Sequence, residues 1–203
     1  MKSKTVVLLL ALALSAISFS SGIAAIDPPF GGSFAPAGAK AFFPSWGGGE
    51  VVVRLYTDYF CPPCRSMEPG LEPVIRNLVQ ENAINLTLID TPLSDSSPLY
   101  ARFFLHTLAK NPDFHNAIRV RRVLFDAARN NITQKERLEH VLIGNGIAFA
   151  PVDTGEVFRR LNEHLKEDKI RETPTCVIVT GDRKELFVGG PAIMSALERL
   201  KSK

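Results

Sequence analysis

Cysteine is scarce in this chain, and so is any excess of charge of one sign. Three cysteines among 203 residues exclude a small disulfide-stapled scaffold. Lys and Arg number 24 against 21 Asp and Glu. Two of the cations, Lys2 and Lys4, fall in residues 1–25, which hold no acid, so the rest of the chain carries 22 against 21. A nearly neutral body gives no electrostatic ground for nucleic-acid binding, which rests on clustered neutralisation of phosphates. There is no internal repeat and no Met-rich or His-rich tract. The longest apolar run falls short of the about 20 residues that cross a bilayer as a helix. Hydrophobic residues at 45% and charged residues at 22% fit a chain with a buried core and exclude a disordered, collagen-like or multi-span membrane chain. The length fits one domain, or one domain with an insertion.

What is present begins with an address. Lys2 and Lys4 precede an apolar run from Val6 to Phe19, and small residues follow: Ser20, Ser21, Gly22, Ala24, Ala25. This three-part layout predicts a secretory signal over 1–25, cleaved after Ala24 or Ala25, with an uncleaved membrane anchor as the alternative. No cysteine lies there to carry a lipid. Export would place the body in an oxidising, periplasmic compartment, where cysteine chemistry serves catalysis or stapling. Residues 26–49 mix Pro28, Pro29, Pro36 and Pro44 with many glycines. They read as a Pro/Gly-rich leader, flexible over 26–39, with Ala41, Phe42 and Phe43 as a short edge strand or hydrophobic latch.

Glu50–Thr57 is β-branched and apolar, a buried strand. Cys61-Pro62-Pro63-Cys64 follows and opens a helix with Met67, Leu71, Val74, Ile75 and Leu78 on one face. Pro69 and Pro73 predict a kink or break near Glu68–Gly70. Ile84–Ile89 is a second strand, giving strand, helix, strand. Residues 96–168 hold three or four amphipathic helices, one opened by a capping box at Thr133 and Glu136 and another near Asp153 or Thr154. Thr175–Thr180 and Glu185–Val188 form a hairpin around Gly181-Asp182-Arg183, and a last helix starts at Pro191.

A Cys-x-x-Cys between a strand and a helix has a specific meaning. Cys61 falls at the helix N-terminus, where free N–H groups and the macrodipole favour negative charge. Thiolate is the species that attacks disulfides. Cys64, one turn on and more buried, can close back on Cys61, so the pair cycles between dithiol and disulfide through a mixed disulfide with a client. Pro62 and Pro63 suit the first turn, yet remove two N–H groups that could face the sulfur. Alternatives are half a zinc site, a structural disulfide, or a Cu(I) site, since soft thiolates select copper. His106, His115, His140 and His164 show no ligand spacing, and Cys176 stands alone as an inert buried thiol. Neither a metal nor a cofactor is expected. Arg119, Arg121, Arg122, Arg159 and Arg160 read as solvated helix faces, and Asp58 as a surface acid. Arg65 also reads as solvent-exposed, with charge support for a thiolate as its alternative. Asn85-Leu86-Thr87 and Asn131-Ile132-Thr133 match glycosylation sequons weakly.

YTDYFCPPCRSMEP over 56–69 and ETPTCVIV over 172–179 resemble the thioredoxin superfamily. The long helical segment between the two halves makes residues 50–201 resemble its DsbA-like branch of exported thiol:disulfide oxidoreductases. The resemblance implies an α/β thioredoxin fold (βαβ…ββα) over 50–95 and 169–203, with an inserted helical subdomain at 96–168. It implies a cis-proline facing the cysteines, which places a cis peptide at Thr173–Pro174. Cys61 and Cys64 would be catalytic. Thr173, Pro174, Pro62 and Pro63 would meet the client. The sequence departs from the family at Leu55, where such proteins carry a buried acid six residues before the first cysteine. The expected function is disulfide exchange with secreted or envelope proteins, most naturally as an oxidant. The alternative is a thioredoxin-like reductase of envelope thiols. Expected partners are cysteine-containing clients and a membrane or soluble redox protein that recharges the pair, with the chain acting as a monomer.

Overall fold

The computed structural model describes residues 43–201. Its centre is a five-stranded sheet. Strand β1 is Ser45–Trp46, β2 is Val51–Thr57, β3 is Ile84–Asp90, β4 is Thr175–Thr180 and β5 is Arg183–Val188. The spatial order is β1-β3-β2-β4-β5. Parallel pairing of β2 with β3 runs from Val51↔Ile84 to Thr57↔Asp90, so both strands end at the same rim. β4 pairs antiparallel with β2, placing Cys176 opposite Leu55, and its start meets the same rim at Tyr56↔Thr175. Helix α1 (Pro62–Gln80) joins β2 to β3, and α6 (Gly190–Glu198) follows β5. Together these elements are the expected βαβ…ββα.

Between β3 and β4 lie α2 (Ser97–Lys110), α3 (Phe114–Arg129), α4 (Lys135–Gly144) and α5 (Gly155–Glu167). The main core joins Val53, Leu55, Leu86 and Leu88 of the sheet to Leu71, Ile75 and Leu78 of α1, to Ile193 and Leu197 of α6, and to apolar residues of α2, α3 and α4. Each such side chain, fully buried, contributes about 1.5–3 kcal/mol. Helix α5 covers the opposite face, where Leu161 meets Tyr56, Ile89 and Val177.

Three local expectations need correction. Helix α1 is unbroken through Pro69 and Pro73. Pro69 cannot donate to the Arg65 carbonyl, and Arg129 of α3 takes that carbonyl instead, its Nη2 donating at 2.9 Å. Helix α4 starts one residue later than the capping box implied, with Gln134 as its N-cap and no side-chain cap bond. The stretch read as a leader contributes β1, antiparallel to β3. Trp46 is buried there, donates its Nε1–H to the Pro112 carbonyl at 2.8 Å and tilts against Phe114. Gly47, at φ +88°, follows it, and a Cβ there would stand 2.2 Å from the Ile84 carbonyl oxygen. The edge strand thus begins two residues beyond Phe43. Ala41, Phe42 and residues 1–25 lie outside the described residues. No described helix is long and apolar enough to cross a membrane.

Candidate active site

The cysteine pair stands where β2 hands over to α1. Asp58 builds the turn between them. Its carboxylate accepts from the Phe60 N–H at 2.7 Å, the Leu93 N–H at 2.6 Å and the Ser97 hydroxyl at 2.8 Å. Asp58 is buried, not a surface acid: those three donors replace its water. The turn is also anchored by rings. Tyr59 lies 4.7 Å from Phe125 of α3, and Phe60 packs edge-on to Tyr100 of α2 at 4.9 Å.

Cys61 is the N-cap of α1, and its sulfur accepts the Cys64 N–H at 3.4 Å. Pro62 and Pro63 occupy the first helical positions, where a missing N–H costs nothing, and both are exposed. Cys61 is partly exposed, while Cys64 is fully buried behind it. Both are free thiols. Burial, and then the hydrogen bond with the Cys61 sulfur, push the Cys64 thiol up to about 12. Burial alone raises Cys176 to about 12 as well.

The loop before β4 closes the site. Thr173–Pro174 is cis. The Cys61 thiol donates to the Thr173 carbonyl at 3.2 Å. The Pro174 carbonyl accepts the Gly189 N–H at 2.9 Å, bringing the start of α6 alongside. Pro63, Met67, Gly70, Gly190, Pro191 and Met194 then line an open, mainly apolar hollow of about 510 Å³ beside the pair. Cys61, Cys64, Thr173 and Pro174 therefore meet at one rim, with Pro62 and Pro63 beside them.

Leu55, the position lacking an acid, is fully buried beside β4. Buried charge at the ends of β2 and β3 comes from residues the sequence reading missed. Arg121 is fully buried rather than on a solvated face. Its guanidinium grips Glu68 of α1 through Nε at 3.0 Å and Nη2 at 2.7 Å, and reaches Asp90 at 3.5 Å. Asp90 also accepts from the Tyr59 hydroxyl at 3.0 Å. Burial raises Asp90 to about 7 against the pull of Arg121 and Tyr59. The available signal was helical phase: Arg121 falls three residues after Ile118 and three before Leu124, on the apolar side of α3. Arg119 and Arg122 do face outward. Among the described residues, no His, Cys, Asp and Glu group is gathered as a metal site.

Several solved structures share this architecture. A periplasmic thioredoxin-like protein from Salmonella enterica serovar Typhimurium is 18% identical, with a TM-score of 0.59 over 78% of this chain and 90% of that one. The thiol-disulfide exchange protein alpha-DsbA2 from Wolbachia pipientis is 16% identical, TM-score 0.55, over 79% and 86%. A putative protein-disulfide isomerase from Pseudomonas syringae is 13% identical, TM-score 0.61, over 77% and 96%. No curated protein matches the chain. The family model described as Thioredoxin matches residues 49–185, from the residue before Glu50 into β5 and well over half of the sequence. The chain belongs to the thioredoxin family.

Proposed function

We propose that this protein is an exported thiol:disulfide oxidoreductase that oxidises secreted or envelope proteins through Cys61 and Cys64. The observation that carries the reading is the arrangement of the two sulfurs. One is accessible at a helix N-terminus and bonded to the Thr173 carbonyl; the other is sealed behind it. The similar folds named for thiol-disulfide exchange and for a periplasmic location support it, as does the signal-like layout of residues 1–25.

In the oxidised protein a client thiolate attacks the Cys61 sulfur. The Cys61–Cys64 bond breaks, a client–Cys61 disulfide forms, and the electron pair leaves on Cys64, which takes up a proton. With its thiol pushed up to about 12, Cys64 is protonated at neutral pH once it has left. A second client thiolate attacks the client sulfur of the mixed disulfide, and Cys61 departs as thiolate. The client loses two electrons and the pair gains them; a membrane or soluble partner disulfide removes them again. The helix N-terminus favours charge on the departing Cys61 sulfur, which supports the oxidising direction. The client backbone would lie along Thr173 and Pro174, with an apolar side chain in the hollow lined by Met67, Pro191 and Met194. The reductase reading runs the same steps backwards.

The test mixes oxidised protein with an equimolar reduced, unfolded client bearing two cysteines, and counts free thiols. The expected result is two client thiols lost per pair, and none with Cys61→Ser. A client that keeps its thiols overturns the oxidant reading.

A further inference from the structure

Arg121 comes from the inserted helices, yet every polar group it touches belongs to the sheet or to α1. Besides Glu68 and Asp90, its Nη1 and Nη2 donate to the Thr57 hydroxyl at 3.3 and 3.4 Å. Its guanidinium carbon lies 5.2 Å from the centre of the Phe125 ring. Thr57 is the last residue of β2, Asp90 the last of β3, and Glu68 sits one helical turn beyond Cys64. A single side chain thus ties together the three elements that aim the cysteine pair. The same helix grips α1 elsewhere too: Arg129 holds the Arg65 carbonyl, and Arg122 makes a two-pronged pair with Glu72 at 3.0 and 2.5 Å.

A buried ion cluster is weak evidence for stability, because desolvating the charges offsets their attraction, and apolar replacements often serve as well. What such a cluster does supply is one fixed arrangement and one fixed local charge. Here the charge lies at the ends of β2 and β3 and one helical turn beyond Cys64, in a protein whose strand β2 offers Leu55 and no carboxylate. We infer that Arg121 is a positioning residue for the Cys61–Cys64 pair: it locks the first turns of α1 against the ends of β2 and β3 and balances the buried charge of Glu68, one helical turn beyond Cys64. This rests on the exchange reading above.

The sign of each perturbation follows. Removing Arg121 leaves the Glu68 carboxylate uncompensated, which opposes negative charge on the reduced pair and favours the disulfide. Removing the Glu68 charge leaves Arg121 in excess, which favours the reduced pair. The equilibrium to measure is protein dithiol plus oxidised glutathione going to protein disulfide plus two reduced glutathione. Arg121→Met is expected to raise its constant by at least about threefold, and Glu68→Gln to lower it by at least about threefold, for charges interacting across a protein interior. Arg121→Lys keeps the charge without the fork and falls between wild type and Arg121→Met. Opposite shifts support the inference, since mere loss of packing has no reason to change sign. Shifts of the same sign, or no shift while the melting temperature falls, overturn it. If Arg121→Met does not fold, Glu68→Gln is read beside Arg121→Lys: the first lowers the constant and the second raises it, and no change in both overturns the inference. A wild-type pair that does not equilibrate with glutathione at all overturns both this inference and the exchange reading, whereas a wild-type pair that does so leaves only the inference at stake.

Discussion

The Cys61 sulfur lies 3.2 Å from the Thr173 carbonyl oxygen, across 112 residues of sequence. That contact joins the helix start carrying the exposed sulfur to the loop that would receive an extended chain. It leaves the sulfur accessible, since Cys61 is partly exposed while Cys64 and Cys176 are sealed.

Alkylation reads this difference directly. Iodoacetamide at neutral pH is expected to add one carbamidomethyl group per folded, reduced molecule, at Cys61, with Cys64 and Cys176 modified only after unfolding. Both inner thiols are held at about 12 by burial, so neither presents thiolate. Peptide mass spectrometry locates the adduct. Modification of Cys64 in the folded protein contradicts the assigned order.

The two cysteines should fail differently when replaced. Cys61→Ser is expected to abolish exchange. Cys64→Ser removes the sulfur that closes back on Cys61 and should leave client–Cys61 disulfides, visible as bands on a non-reducing gel that disappear with reductant. Equal loss of activity with no adducts from Cys64→Ser counts against these roles.

Asp168, at the end of α5, makes acid sensitivity predictable. Burial alone would raise its carboxyl. Arg54 at 2.6 and 2.7 Å, Lys184 at 2.5 Å and the Tyr56 hydroxyl at 2.6 Å outweigh that and bring it to about 2. A carboxyl lowered in the folded state stabilises the fold above its unfolded value near 4 and loses that contribution as pH falls from about 4 to about 2. Asp168→Asn is expected to cost about 2 kcal/mol at pH 7, with a smaller difference from wild type at pH 2. Urea unfolding at the two pH values checks it; an equal cost at both contradicts the assignment.

Asp90 works in the opposite sense. Its carboxyl is raised to about 7, chiefly by burial, so the folded protein holds a proton that the unfolded chain has released. Through this group stability falls as pH rises from about 4 to about 7. Asp90→Asn carries no such proton and should flatten that part of the stability curve. Urea midpoints measured between pH 4.5 and 7.5 for both proteins test this, and parallel curves contradict it.

Much of this fold was legible where residue type and local structure agree. The β-branched runs at 51–57, 84–90 and 175–180 could bury both faces only as strands. The Cys-x-x-Cys between strand and helix, with Thr173–Pro174 ahead of β4, marked the rim. Less legible were features decided by distant partners. Nothing near Asp58 announces the Leu93 N–H and Ser97 hydroxyl that let it be buried. Pro69 reads as a break because the freed Arg65 carbonyl is taken by an arginine 64 residues beyond Arg65. Arg121 was grouped by charge with its neighbours although its helical phase pointed inward; burial of an arginine depends on carboxylates from two other elements. Trp46 has its place only once the Pro112 carbonyl is beside it.

The proposed oxidant role comes down to the equilibrium of the Cys61–Cys64 pair with glutathione buffers of known composition, followed by counting dithiol and disulfide forms after acid quenching. A reduction potential near or above about −150 mV is expected, in the range of strongly oxidising pairs. A potential below about −250 mV, in the range of thioredoxin-type reductants, would contradict it.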